Sequence, residues 1–447
     1  MVLGEIMRRF VDQRPMAVLV RAILERQFAD SFFDATFAEL AKKQFTLDLA
    51  FSTCARIMAQ VTLGQSPSVH SAFLKDRESI PVSVGSLYEK LQHVELAVCE
   101  GLVDGSACSL GAVIALLGQN PEPIAGFRSR IVDGNVLASC DHRIKELRGT
   151  GVAAMPGKSL VLYDYATGLI SELVACEDGE ASERRLLPQL FTKIYAGDLI
   201  IADRNFCTAD MLTKVHELQA AFLIRHHAAL HLTMQGQPKK RGRCKTGEVS
   251  EQTVSLQCGL VCRAIIITRD KPLKNGGCKV VLLTNVTNDK ATAVQLANLY
   301  LERWKIEEAF RQLTQYLSCE VRTLGYPKAA LFAFTMAVLA YNTLACLKAA
   351  LRAAHEQEED NWSSFYIAWE VKVTFEGMLI ATTAEEWQPF AAMTNEQFAA
   401  FLRETAGNID PARYRKSKRG PKKTPERKKV RSKHVSTLSI LTERGHG

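Results

Sequence analysis

Three acidic residues stand where a hard cation could be held. Asp133 follows the apolar pair Ile131-Val132, Asp203 follows Leu199-Ile200-Ile201-Ala202, and Glu307 lies in a helical stretch. A carboxylate at the end of a buried strand is costly unless it is paired, hydrogen-bonded or neutralised by a metal. Two strand-tip aspartates and one helix glutamate supply three oxygen ligands, a set suited to Mg2+ or Mn2+. Two such ions can hold the attacking and leaving oxygens of an in-line displacement at phosphorus. Either aspartate alone says little, because acids are common where strands enter turns, and Asp164 is a rival of that kind. The reading rests on the three together.

Tyr300, Arg303 and Glu307 lie at offsets of zero, three and seven. At about 100° per residue they share one stripe of a helix read from Ala291 to Leu317. Arg311 and Thr314 fall close to that stripe, whereas Glu308 points about 80° away. Taken alone, the stripe reads first as a solvated charged face with an i,i+4 salt bridge. Trp304 and Phe310 are expected to pack this helix against a sheet.

The elements that must position these residues follow from hydrophobic period and breakers. Residues 1–126 read as a mainly helical region, ended by Asn120-Pro-Glu-Pro. Residues 127–214 read as the first part of an α/β core. It has a strand before Asp133, a hairpin around Ala166-Thr167-Gly168, a helix from Glu183 to Tyr195 and a strand ending at Asp203. Residues 215–290 read as a β-rich insertion with a basic loop at 239–245, equally a DNA-backbone contact or solvated charge. Residues 291–410 hold the long helix and further helices, and 411–447 a basic tail expected to be disordered. His142, shortly after the first aspartate, reads first as part of a surface turn.

Composition limits the alternatives. Apolar residues are 47% and charged residues 23% of 447, which excludes a chain disordered throughout. Lys and Arg exceed Asp and Glu by 56 to 48, a formal charge of +8. Residues 413–433 hold twelve Lys or Arg and one Glu, net +11, so everything else sums to −3. A near-neutral globule with a basic tail points to a polyanion. If about six tail cations each meet one phosphate, counterion release adds roughly −5 to the slope of log K against log salt.

The 12 cysteines are scattered without any C-x-x-C pair. Cys258 and Cys262 have no partner pair at zinc spacing, and reduced thiols in a cytoplasmic protein are the plain reading. No basic-then-apolar leader opens the chain. The uncharged run 329–347 includes Thr335, Tyr341, Asn342 and Thr343 and reads as a buried helix, not a membrane span.

The motifs Asp133-Gly-Asn135, Gly197-Asp-Leu-Ile-Ile-Ala-Asp203-Arg-Asn-Phe and Tyr300-x-x-Arg303-Trp-x-Ile-Glu307-Glu-x-Phe310 resemble the three catalytic blocks of DDE transposases. The branch they resemble most is the insertion sequence four family of bacteria, with its Y-x2-R-x3-E-x6-K signature. The likeness runs from about residue 125 to 425, through Arg322-Thr-Leu-Gly-Tyr-Pro-Lys328 to the basic end. It implies a ribonuclease H-like catalytic core with a β-rich insertion, and a metal-dependent enzyme that cleaves element ends and transfers strands.

By that resemblance Asp133, Asp203 and Glu307 bind two Mg2+ or Mn2+ ions. Tyr300 and Arg303 hold the phosphate of a flipped nucleotide. The partners implied are terminal inverted repeats, read by the N-terminal region, target DNA and a second copy of the chain. The signature lysine falls at position 314, where this chain has Thr314, and Arg311 would replace it in part as a DNA contact. Two other readings stay open: a weakly active or silent DNA-binding derivative that inhibits transposition, and a metal-dependent nuclease.

Overall fold

The computed structural model describes residues 4–44, 46, 48–137, 156–272, 276–315, 317–321, 324–355 and 362–416. His142 and the tail beyond Lys416 lie outside the described residues. The chain is a mixed α/β protein with a helical N-terminal region and one large sheet.

The N-terminal helices are α1 (Glu5–Gln13), α2 (Pro15–Gln27), α3 (Asp30–Leu40), α4 (Phe51–Thr62), α5 (Val69–Lys75), α6 (Val84–His93) and α7 (Leu96–Leu117). Ser68 and Ser83 cap α5 and α6 by accepting from the backbone N–H three residues on. Gly118, at φ 100°, closes α7 in a conformation that a side chain would strain.

The strands are β1 (Arg128–Val136), β2 (Lys158–Asp164), β3 (Ile170–Cys176), β4 (Asp198–Ala202), β5 (Ala221–Arg225), β6 (Leu232–Cys244), β7 (Gly247–Leu256), β8 (Val261–Arg269) and β9 (Lys279–Thr284). They form one sheet in the order β3-β2-β1-β4-β5-β9-β8-β7-β6. β1, β4 and β5 are parallel neighbours, and the other pairs are antiparallel. The strands of the 215–290 segment therefore do not make a sheet of their own. β9 pairs with β5 and continues the central sheet outward.

Alternation along the central strands sorts side chains onto two faces. Ile131, Leu199, Ile201 and Leu223 join the apolar cluster made with α4, α7 and the C-terminal helices. Val132, Ile200, Ala202 and Phe222 join a second cluster, built on α8 (Leu187–Phe191) and α9 (Ala209–Glu217). The expected helix from Glu183 to Tyr195 is shorter than that. A 3-10 turn over Glu183–Leu186 leads into α8, with Pro188 in its first turn.

The long helix read over 291–317 is two helices, α10 (Ala293–Leu301) and α11 (Trp304–Gln315). No Gly or Pro marks the break. Glu302 and Arg303 donate to the carbonyls three residues back, and the chain turns there because its halves follow different surfaces. α10 packs on β6, β7 and β8, and α11 packs on β1 and on α12 (Pro327–His355).

α12 is long and apolar enough to cross a membrane, and its most apolar window is wholly buried inside the protein. It is the core helix that its composition suggested. Asn342 on α12 bonds both the N–H and the carbonyl of Ile170, tying helix to sheet edge. α13 (Ser364–Ala381), α14 (Ala384–Ala392) and α15 (Asn395–Gly407) follow α12. The basic 239–245 segment is the end of an ordered strand and its turn, not a loop.

Candidate functional site

The strand register places the first two acids. β1 and β4 run parallel with Val132 opposite Ala202, so Asp133 and Asp203 are the next residues at the same level of adjoining strands. Asp133 is not at a strand tip as expected. β1 runs on to Val136, and only its pairing with β4 stops at Val132. Asp203 ends its strand and caps the 3-10 turn that follows, accepting from the Asn205 backbone N–H at 2.5 Å.

Arg303, between α10 and α11, reaches the same place. Its Nη1 donates to Asp133 Oδ2 at 3.3 Å, and its Nη2 to Glu307 Oε1 at 2.6 Å. One arginine thus joins acids 174 residues apart, counted from Asp133 to Glu307. Burial pushes the Asp133 carboxyl up to about 6; Arg303 and the Gly134 N–H oppose that, while Asp203 and Glu183 add to it. Burial also works against the Arg303 charge, but Tyr300, Glu307 and Asp133 outweigh it and its pKa is raised. Tyr300, half-buried at the end of α10, has a hydroxyl pushed up to about 12 by burial, with Arg303 opposing and Asp203 adding.

Sequence reasoning missed Glu183. A Cβ built on Gly134 would lie 2.9 Å from the Glu183 Cδ and closer still to Oε1, so this carboxylate occupies the room left by the glycine. Burial raises the Glu183 pKa; Lys158 opposes that and Asp203 adds to it. The adjoining Arg184 donates to the Asn205 carbonyl, which ties the Glu183 turn to the Asp203 turn. The available signal was Gly134 itself, a glycine inside a strand directly after an acid, which marks a close approach.

Other sequence assignments resolve differently. Asp164 is a structural acid: it pairs with Arg128 at 2.7 Å and accepts from the Thr167 N–H and hydroxyl in the hairpin turn. Trp304 does not pack against the sheet. It is 64% exposed beside Arg303, whereas Phe310 does pack on the core. Arg311 is held by Glu308, and the exposed Thr314 donates to the Phe310 carbonyl at 2.6 Å.

Among the described residues no three His, Cys, Asp or Glu side chains are gathered closely enough to hold an ion as they stand. The chemistry of the donors nevertheless fits a hard divalent cation. The acids are oxygen donors; Asp203 and Glu183 raise the proton affinity of Asp133, and Asp203 raises that of Glu183. A surplus of buried negative charge of this kind is what a cation relieves.

By fold and site, then, this is an α/β protein with an acidic centre where two parallel strands part, an arrangement suited to hard-cation chemistry. Residues 126–343 match the family model of the transposase DDE domain, which supports a DDE transposase. The match spans β1 to the middle of α12 and contains Asp133, Asp203, Tyr300, Arg303 and Glu307. No curated protein is significantly similar to the chain. Among solved structures it is similar to piggyBac transposase in a cryo-EM synaptic complex with hairpin DNA. That likeness has a TM-score of 0.39 and 8% identity and covers 86% of each chain, too faint to build on.

Proposed function

We propose that this chain is a DNA transposase of the insertion sequence four type, with a ribonuclease H-like core, that cleaves element ends and joins them to target DNA. The observation that carries the reading is Arg303, which gathers Asp133 and Glu307 beside Asp203 within the stretch that matches the DDE family. Two acids on adjoining parallel strands, and a third on a helix reached through a β-rich segment, support the core assignment.

Asp133, Asp203 and Glu307 would hold Mg2+ or Mn2+, two ions in the full site. When bound, the ions supply Lewis acidity and charge stabilisation at the reacting phosphate. Arg303 has the planar fork that suits a phosphate, and its carboxylate partners are the groups that a cation would take from it. Tyr300 keeps its proton at neutral pH and offers a hydroxyl donor beside Arg303 and Asp203. Trp304 presents an exposed ring at the same rim, free to meet a base. The reaction is water attack on the phosphodiester at the element end, which breaks the bond to the 3′ oxygen and frees a 3′-hydroxyl; that hydroxyl then attacks a target phosphodiester and displaces the target's own 3′-hydroxyl.

The full-length protein with Mg2+ and DNA carrying its element's ends should release a cleaved strand and join it to target. Asp203→Ala should abolish both steps and leave a mobility shift in place. Retained cleavage by that variant would overturn the reading, and hydrolysis without joining would make the chain a nuclease.

A second reading has its own observation. Thr314 offers no cation where the family has lysine, and Arg311 is engaged by Glu308. DNA binding with no cleavage by the unaltered chain would make it a silent, inhibitory derivative.

A further inference from the structure

Most strands of the sheet are buried on at least one face, and β6 is the exception. Its residues 233–243 are all exposed, and among the described residues no strand neighbours its outer edge. Eleven ordered residues that bury almost nothing do little for a core, and a long free edge invites unwanted pairing. Such a strand is better explained by what it meets outside the chain.

Its chemistry narrows the partner. Lys239, Lys240, Arg241, Arg243 and Lys245 follow one another along β6 and its turn, and Arg269 and Lys271 lie beside that turn. These seven cations face three acids, Glu248, Glu251 and Asp270. Arg241 is held by Glu251 and Arg243 by Asp270, both at 2.8 Å. Among the described residues no ion pair engages Lys239, Lys240 or Lys245. The patch is therefore locally positive in a chain that sums to −3 outside its tail.

The patch is also anchored to α10, the helix that carries Tyr300. The Lys245 N–H donates to Asn298 Oδ1 of α10 at 2.9 Å, two residues before Tyr300, and Gly242 packs closely on Val294. From Lys239 to Cys244 the strand, with a register shift between Lys240 and Gly242, extends at most about 17 Å at ~3.3 Å per residue. That is about half of a helical turn of duplex DNA, enough for a few phosphates.

We propose that the β6 edge is a rail for the backbone of duplex DNA, leading away from the acidic centre along α10. The rail rests on the reading of the chain as a DNA-acting enzyme and adds a surface that the three acids do not require. It contacts phosphates, so it aligns the duplex without reading sequence.

The test is a salt titration of full-length protein on a labelled duplex of about 40 base pairs, followed by anisotropy. The triple variant Lys239→Gln, Lys240→Gln, Lys245→Gln should flatten the slope of log K against log salt by about 3. Binding should weaken at least tenfold at low salt, alike for element ends and unrelated DNA. Thermal unfolding of the variant should match the unaltered protein, because these side chains are exposed, and the three-arginine variant should restore the slope. An unchanged slope with binding intact overturns the rail while leaving the transposase reading standing. An unchanged slope with a change in dimer sedimentation assigns the edge to a second copy instead. Failure of the unaltered protein to bind DNA would overturn both readings.

Discussion

The β1–β4 pair carries buried charge at both ends, and the two ends are settled differently. Where β4 begins, the wholly buried Arg130 donates to Asp198 at 3.1 Å, to Ser171 Oγ and to the Lys193 carbonyl, and lies 3.6 Å from Glu172. Lys193 adds a pair to Glu172 at 3.2 Å, and the Tyr195 N–H also bonds Asp198. Every acid there meets a cation or an N–H. A few residues along the same strands, Asp133 and Asp203 meet Glu183 of the 3-10 turn, with Arg303 opposing the charge at Asp133 and Lys158 that at Glu183, and the Asp133 carboxyl is pushed up to about 6. A network whose acids are all paired holds a fold together, even though the Arg130 Nε has no hydrogen-bond partner among the described residues. An acid surplus on the same strands stores an affinity for something cationic.

That contrast can be broken from either side. The largest expected effect is at the crowded end: Asp203→Ala or Asp133→Asn should lower cleavage on the order of 10³-fold or more, with folding intact. Should either variant unfold the protein instead, the acids would be structural and the contrast would collapse.

At the satisfied end the expectation reverses. Arg130→Ala strands Asp198 and Glu172 in the interior and should cost about 3–5 kcal/mol of stability in denaturant unfolding. A loss under 1 kcal/mol would show that the network is not what holds the strands.

The pH dependence sharpens the difference further. The Asp133 carboxyl titrates at about 6 in the folded protein against an ordinary 3.8. Its folded pKa is raised, so the folded state binds the proton more tightly than the unfolded one. Its contribution is therefore favourable to folding at low pH and is lost as pH climbs from about 4 through 6. With about 1.4 kcal/mol per unit, the metal-free protein should lose roughly 3 kcal/mol over that window. Asp133→Asn should remove this slope, and unfolding curves of both proteins at pH 4, 5, 6 and 7 give the answer.

The smallest effect expected is at Gly134. An alanine there must displace the Glu183 carboxylate, at a cost of about 1–3 kcal/mol. Gly134→Ala with Glu183→Ala together should recover part of that loss, because the overlap is gone. Independent, additive losses would mean that the two residues do not meet.

Much of this was legible from residue order alone. The hairpin around Gly168, the buried strand before Asp203, the helical N-terminal region and the burial of 329–347 all follow from local period and turn chemistry. The three blocks that resemble DDE transposases are local as well, each held within about ten residues. A signal confined to one element survives in the sequence because the forces that shape it act between near neighbours.

Other features depend on partners far along the chain. Nothing between 291 and 317 breaks a helix, and the turn at Glu302-Arg303 arises because α10 follows the outer strands while α11 follows β1 and α12. That turn brings Arg303 to Asp133 and leaves Trp304 exposed. The place of Glu183 over Gly134 and the free edge of β6 depend likewise on how distant strands pair and stack. By itself the sequence determined which segments are helix or strand and singled out the acids proposed to bear the chemistry, because periodicity, turn propensity and short motifs are local. The i,i+4 pair of Arg303 with Glu307 was already in the spacing, but only the tertiary structure decided which distant charges meet, Arg303 with Asp133 above all, because burial joins residues whose separation along the chain carries no trace of it.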